Sequence, residues 1–210
     1  MDNTPFFVLF EPSLLKYHVA MTEWIITEDI TQRQTLLEDE GYNAYCLRTR
    51  TGWESDAANH INLLNDKVLA LPFMKLSHKS VRGVKSVEQK TVLPSYVFLF
   101  TPKDYLVENL DKKFREGFSF VHYGESDDIL LRNGDLRYAR WVFSSTGIIG
   151  MSRAIKVNGR VKIIDGPLLS LEGNIKEYSK KNRNCRVETT LFNRVISVWL
   201  PFTYIEEIKD

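Results

Sequence analysis

Cysteine is scarce: only Cys46 and Cys185 occur in 210 residues. They lie far apart and form no Cys-x-x-Cys pair, so no zinc site, dithiol redox motif or disulfide scaffold is indicated. Each is flanked by strand-like residues, and both thiols are expected to fill core positions. Long apolar runs are missing as well. Phe6-Phe7-Val8-Leu9-Phe10 is broken by Glu11 and Pro12 and lacks the preceding cations of a signal peptide. No run approaches the length that crosses a bilayer, so the expected location is cytoplasmic, with no membrane partner. Enzyme signatures are absent too. There is no Gly-rich loop ending in Gly-Lys-Ser/Thr, no His-Glu-x-x-His and no nucleophile elbow. His78 has no evident catalytic partner and the carboxylates are scattered, so neither an enzyme nor a cofactor is expected. Net charge is nearly absent, at +1 from 28 basic and 27 acidic residues. That balance argues against wrapping long nucleic acid over the whole surface.

What is present suits a packed core. Hydrophobic residues make up 43% of the chain, and its length allows one large domain or two small ones. The charge is unevenly spread. Residues 1–60 hold four basic and ten acidic side chains, whereas 75–90 hold Lys75, Lys79, Arg82, Lys85 and Lys90 against Glu88 alone. Such a segment is either a local contact for phosphates or a solvated loop.

Periodicity locates the elements. Thr31 to Glu40 favours a helix stopped by Gly41, within a stretch, 1–42, read as an accessory extension. Tyr45-Cys46-Leu47 is β-prone and runs into Thr51-Gly52-Trp53-Glu54, which reads as a capping box with Thr51 as cap. Trp53, Ala57, Ile61 and Leu64 then recur at helical spacing. Val68 to Phe73 is a strand ending at Pro72. Residues 74–91 form either a long loop or a hairpin turning at Arg82-Gly83. Leu93 to Phe100 is strongly β-prone. Thr101-Pro102 is expected to open a helix with Leu106, Leu110 and Phe114 as its stripe. Phe118 to Tyr123 is a further strand, and Asp135 is expected to cap a helix burying Ala139, Val142 and Phe143. Helices interleaved with strands imply an α+β domain over 43–150.

After a linker at 151–157 the rhythm changes. Val161 to Ile164, Asn174 to Tyr178, Cys185 to Leu191 and Val195 to Leu200 are short strand runs, with Ile205 to Ile208 a fifth. Turn residues separate them, including Asp165-Gly166-Pro167, Leu171-Glu172-Gly173 and Phe192-Asn193-Arg194. Short strands at this spacing without helical stripes indicate a small barrel over 158–210, with Trp199 in its core.

These residues resemble those of NusG-type transcription elongation factors, an NGN domain joined to a KOW domain. Tyr45-Cys46-Leu47 with Thr51-Gly52-Trp53-Glu54 is similar to that family's first strand, glycine turn and helix start. Leu93-Pro94-Ser95-Tyr96-Val97-Phe98 is similar to its Phe-Pro-Gly-Tyr-Val segment. Gly159-Arg160-Val161-Lys162-Ile163, Asp165-Gly166-Pro167-Leu168 and Leu171-Glu172-Gly173-Asn174-Ile175 resemble a KOW motif. Ser95 stands where glycine is expected, and Ala44 where tryptophan is common. With the unmatched 1–42, these departures resemble specialised antiterminators such as the LoaP or UpxY groups.

The resemblance implies an NGN-type α/β sandwich followed by an SH3-like KOW barrel. It implies RNA polymerase as the partner, held by Tyr45, Leu93, Pro94 and Tyr96, with elongation or antitermination promoted. The same side chains could simply be core, since strand residues alternate faces. Arg48, Arg50, Lys75, Lys79, Arg82, Lys85 and Lys90 are candidate contacts for nontemplate DNA or nascent RNA. Tyr178, Lys180, Lys181, Arg183, Arg186 and Arg194 combine an aromatic with cations, as stacking on an RNA base requires. The barrel's partner is then an RNA hairpin, a ribosomal protein or a termination factor. The alternative is a KOW-containing RNA-binding or ribosome-associated protein that does not bind polymerase.

Overall fold

The computed structural model describes residues 23–82, 84–107, 110, 117–123, 127–157, 160–169, 174–179 and 183–208. The first unit is built on β1 (Tyr42–Arg48), β2 (Leu69–Pro72), β5 (Tyr96–Pro102) and β6 (Ser119–Phe120), in the sheet order β2-β5-β1-β6. Every position of β2, and Val97 to Thr101 of β5, is buried without alternation. Continuous burial of this kind means that both sheet faces are covered. On one face Phe98 and Phe100 meet Tyr138 and Phe143 of α3 (Asn133–Ser144), with ring centroids 5.8 and 4.8 Å apart. Cys46 and Ala44 stand opposite those two phenylalanines in the antiparallel β1–β5 register. Their small side chains leave room for the rings, so Ala44 is a core position rather than lost surface.

The helix α2 (Glu54–Leu64) buries Ala57, Ala58 and Ile61, while Trp53 is half-buried and Leu64 exposed. Asn62 grips the edge strand: its side chain donates to the Ala70 carbonyl at 2.9 Å and accepts from the Ala70 amide at 2.7 Å. Helix α1 (Glu28–Glu40) begins earlier than Thr31 because Thr27 caps it, accepting from Ile30 N at 3.3 Å. Of the pair Leu36 and Leu37, only Leu37 is buried. Trp24 is buried too, and its indole donates to the Thr146 carbonyl at 2.9 Å. Arg33 donates to the carbonyls of Asn62, Asn65 and Val68 at 2.9, 2.7 and 3.3 Å, satisfying orphan acceptors where α2 ends. Within the stretch expected as an accessory extension, Trp24, Ile30 and Leu37 therefore supply core side chains.

Residues 74–91 take the hairpin form: β3 (Met74–Val81) pairs with β4 (Val84–Thr91) from Met74↔Thr91 to Val81↔Val84. The short β7 (Ile148–Ile149) lies parallel beside β3. Three expected local features are corrected. Thr101-Pro102 does not start the expected helix, because pairing with Asn43 and Tyr42 carries β5 through Pro102; Leu106 is exposed, Leu110 is helical and buried, and Phe114 lies outside the described residues. Asp135 caps no helix: Arg132 is the N-cap, without a side-chain bond, and Asp135 sits in the first turn. Thr51 caps nothing either. Trp53 precedes α2, and the Thr51 hydroxyl bonds that of Ser95.

The second unit is one five-stranded sheet, β10-β11-β12-β8-β9. It comprises β8 (Ser152–Val157), β9 (Arg160–Asp165), β10 (Ile175–Ser179), β11 (Asn184–Leu191) and β12 (Arg194–Ile208). The expected linker thus carries strand β8, and the expected strands 195–200 and 205–208 are a single strand. β12 pairs antiparallel with β11 up to Pro201, then parallel with β8 from Phe202. One strand serving both halves curls the sheet around Ala154, Ile163, Leu168, Cys185, Val187, Leu200 and Phe202, all buried. Gly166 is required here: its φ is 91°, and a Cβ would fall 2.7 Å from Ser152 Cα. Gly173 lies outside the described residues, and Trp199 is half-buried rather than core.

The candidate interface around Tyr96 and Asp135

Two loops and a strand end build the candidate site of the first unit. Antiparallel register sets Arg48 directly opposite Tyr96, so a cation and an aromatic share the mouth of the sheet. Pro94 is exposed beside them and Tyr96 half-buried, whereas Tyr45 and Leu93 are buried. The Tyr45 ring meets Phe120 edge-on at 5.9 Å. Of the four residues expected to receive a polymerase helix, Pro94 and Tyr96 therefore offer surface in this arrangement.

That surface is occupied. The β11–β12 turn, Phe192-Asn193, reaches it from the second unit, with the Phe192 ring 6.1 Å from Tyr96 and 6.0 Å from Tyr123. The Phe192 amide donates to Asp135 Oδ1 at 2.9 Å, and the Tyr123 hydroxyl donates to Oδ2 at 2.8 Å. Asp135 is only 8% exposed. Burial, followed by the bond to Asp135, raises the Tyr123 pKa and keeps the phenol a donor. Phe192 and Asn193 have φ of 52° and 57°, the left-handed pair of a type I′ hairpin turn. A bulky residue there is strained by about 1–2 kcal/mol, and the ring contacts and the bond to Asp135 hold it.

A second contact joins the units: the Lys75 ammonium donates to the Trp199 carbonyl. Burial, then the neighbouring Lys90, lowers the Lys75 pKa. Lys75 is thus committed within the chain. Lys90, directly opposite it, is exposed and pairs with Glu88 at 2.8 Å. Arg82 is exposed at the hairpin tip with φ 51°. Lys79 and Lys85 belong to β3 and β4, but their side chains lie outside those described. Arg48 and Arg50 are exposed, and the Arg50 guanidinium lies over the Trp53 ring, 5.6 Å from its centroid.

Of the expected RNA-facing set, Tyr178, Arg183 and Arg186 lie at the β10–β11 end of the second unit, and Arg194 lies on the other turn. Lys180 and Lys181 lie outside the described residues. Arg183 and Arg194 are exposed at opposite ends of β11, about 25 Å apart at strand rise. Arg186 bonds Glu177 at 3.3 Å and also Glu188, and Tyr178 packs edge-on against Phe202 at 6.1 Å.

Phe192, Tyr123, Asp135 and Glu54 are the site residues that sequence reasoning did not select. Phe192 had one signal, an aromatic inside a two-residue turn where asparagine and glycine are usual. Among the described residues no group of three or more His, Cys, Asp or Glu could hold a metal ion, and no helix is long and apolar enough to cross a membrane. No family model matches the sequence, and no curated protein matches it. Among solved structures, the chain is similar to one described as "Domain interaction in Thermotoga maritima NusG", at 21% identity, over 76% of this chain and 93% of that one, with a TM-score of 0.43.

Proposed function

We propose that this protein is a specialised NusG-like transcription factor whose first unit binds RNA polymerase and promotes processive elongation or antitermination. The resemblance of the Leu93–Phe98 segment and of the strand, glycine turn and helix at 45–54 supports this reading. The observation that carries it is the aromatic surface at the start of β5, where Tyr96 stands beside Pro94 and opposite Arg48 and accepts a foreign aromatic, Phe192. A surface that receives one apolar side chain from outside its own unit suits an apolar helix with a charged rim.

The mechanism is steric and electrostatic, and no bond is made or broken. The first unit bridges the polymerase cleft and favours its closed form, while Arg48 and Arg50 lie towards nucleic acid. The second unit, tethered to it, reaches RNA or a second protein at high effective concentration. A helix seated on Tyr96 takes the place of Phe192, so occupation of the surface and release of the turn are linked.

The test is binding of the full chain to RNA polymerase, alongside transcription through a pause site. Binding at micromolar protein is expected, strengthened by Phe192→Ala and weakened about tenfold by Tyr96→Ala, the loss of one interfacial aromatic anchor. If neither the wild-type chain nor Phe192→Ala binds, the reading falls. Persisting salt-dependent RNA binding in that case would favour a KOW-type RNA-binding protein.

A further inference from the structure

Glu54 is a carboxylate in an unusual position. It is 3% exposed, and no cation among the described residues pairs with it. Its Oε1 alone accepts two backbone amides, Gly52 N at 3.0 Å and Ser95 N at 2.7 Å. These amides belong to different loops, 43 positions apart in sequence. The first turn of α2 favours the negative charge, and charge-assisted bonds are stronger than neutral ones.

Both loops adopt a left-handed backbone, and at Ser95 it needs holding. Gly52 has φ 84° and Ser95 φ 71°. Open space surrounds Gly52, so only its backbone angle calls for glycine there. At Ser95 a side chain occupies a conformation that glycine adopts freely. Three anchors surround it: the Glu54 bond, the Thr51–Ser95 hydroxyl bond, and the Thr49 amide donating to the Ser95 carbonyl at 2.8 Å. Strain held this firmly is found where geometry matters.

The joint carries contact residues on both sides. One loop bears Arg48, Arg50 and Trp53, and the other bears Pro94 and leads into Tyr96. We infer that Glu54 is a positioning residue that locks the Arg48–Trp53 turn to the Pro94-Ser95 entry of β5, so that the cationic and aromatic surfaces of the first unit move as one rigid body. The Thr51–Ser95 hydroxyl bond is its outer fastening. This inference rests on the proposed binding of polymerase and nucleic acid by that unit.

The experiment uses the full chain with Glu54→Gln, Glu54→Ala, and the double substitution Thr51→Val with Ser95→Gly. Amide hydrogen exchange at residues 52 and 95 reports the joint directly, without any partner. Affinity for RNA polymerase, and for polymerase carrying a DNA bubble, reports its use. Glu54→Gln retains a side-chain acceptor and is expected to bind within about threefold of wild type. Glu54→Ala is expected to accelerate exchange at both amides at least tenfold and to weaken polymerase binding about tenfold. It should also abolish the extra affinity contributed by DNA through Arg48 and Arg50. The exposed double substitution keeps the fold should Glu54→Ala unfold the chain, and is expected to lose that DNA-dependent increment alone. The inference is overturned if exchange at 52 and 95 stays at the wild-type rate in Glu54→Ala, or if the DNA increment survives in both altered chains. Absence of polymerase binding by the wild type would instead overturn the functional proposal, while the exchange result still decides whether Glu54 holds the two loops.

Discussion

Asp135 shows how a single side chain can serve two units. Both carboxylate oxygens are used, one by the Tyr123 hydroxyl and one by the Phe192 amide. Asp135→Ala leaves both donors without their partner and is expected to destabilise the chain by about 2–4 kcal/mol, measured by urea denaturation. Asp135→Asn, which retains an acceptor, should cost less. The raised Tyr123 pKa gives a pH dependence of definite sign. The folded state holds the phenolic proton more tightly than the unfolded chain, whose value is 10.0. Its contribution is therefore complete below pH 10 and is lost as pH rises above it. Denaturation at pH 9 and pH 11 should show this loss, and Tyr123→Phe should reduce it; Tyr138, Tyr42, Cys46 and Cys185, also shifted upward by burial, supply the remainder. The capping box read at Thr51 and Glu54 illustrates a limit at this scale. Residue types at local spacing predicted a bond between neighbours, but Ser95 from a distant loop competes for both side chains.

At the scale of elements, legibility followed the range of the interactions. Ala57 and Ile61 of the α2 stripe and the strand runs at 161–164, 174–178 and 185–191 were readable because periodicity and turn residues act over a few positions. Residues 74–91, by contrast, read equally as a loop or a hairpin. The start of the helix expected at Thr101 was not readable, because pairing with β1 prolonged β5 through Pro102, although Leu110 further on is helical. The α1 segment was the least legible. Its value lies in Trp24, Ile30, Leu37 and Arg33, which touch elements far along the chain. Trp24→Ala should therefore cost about 3–5 kcal/mol by urea or thermal denaturation, as expected for emptying a large core site. A chain beginning at Tyr42 should be destabilised further still. If both variants keep wild-type stability, α1 is an appendage after all.

At the scale of the whole molecule, a strained turn and one lysine are among the contacts between the two units. The Phe192 ring contacts are each worth about 0.5–1.5 kcal/mol and the Lys75 bond about 1 kcal/mol. Contacts of this size make a joint that their combined removal should loosen. Phe192→Ala combined with Lys75→Met is expected to enlarge the radius of gyration in X-ray scattering without altering the circular dichroism. An unchanged scattering curve would mean that other contacts suffice to hold the units together.

Composition and local pattern by themselves determined that this chain has a mixed α+β part followed by a strand-rich part, and the neighbourhood of most of its strands, though not their ends. The resemblance carried by Leu93–Phe98 and by residues 45–54, rather than composition, pointed to Tyr45, Leu93, Pro94 and Tyr96. Only the tertiary structure decided that Tyr45 and Leu93 are buried, that Lys75 is engaged, and that Phe192 covers Tyr96. Each of these depends on which distant groups compete for the same atoms and the same apolar area. That competition is settled by packing in three dimensions, and no window of neighbouring residues contains it.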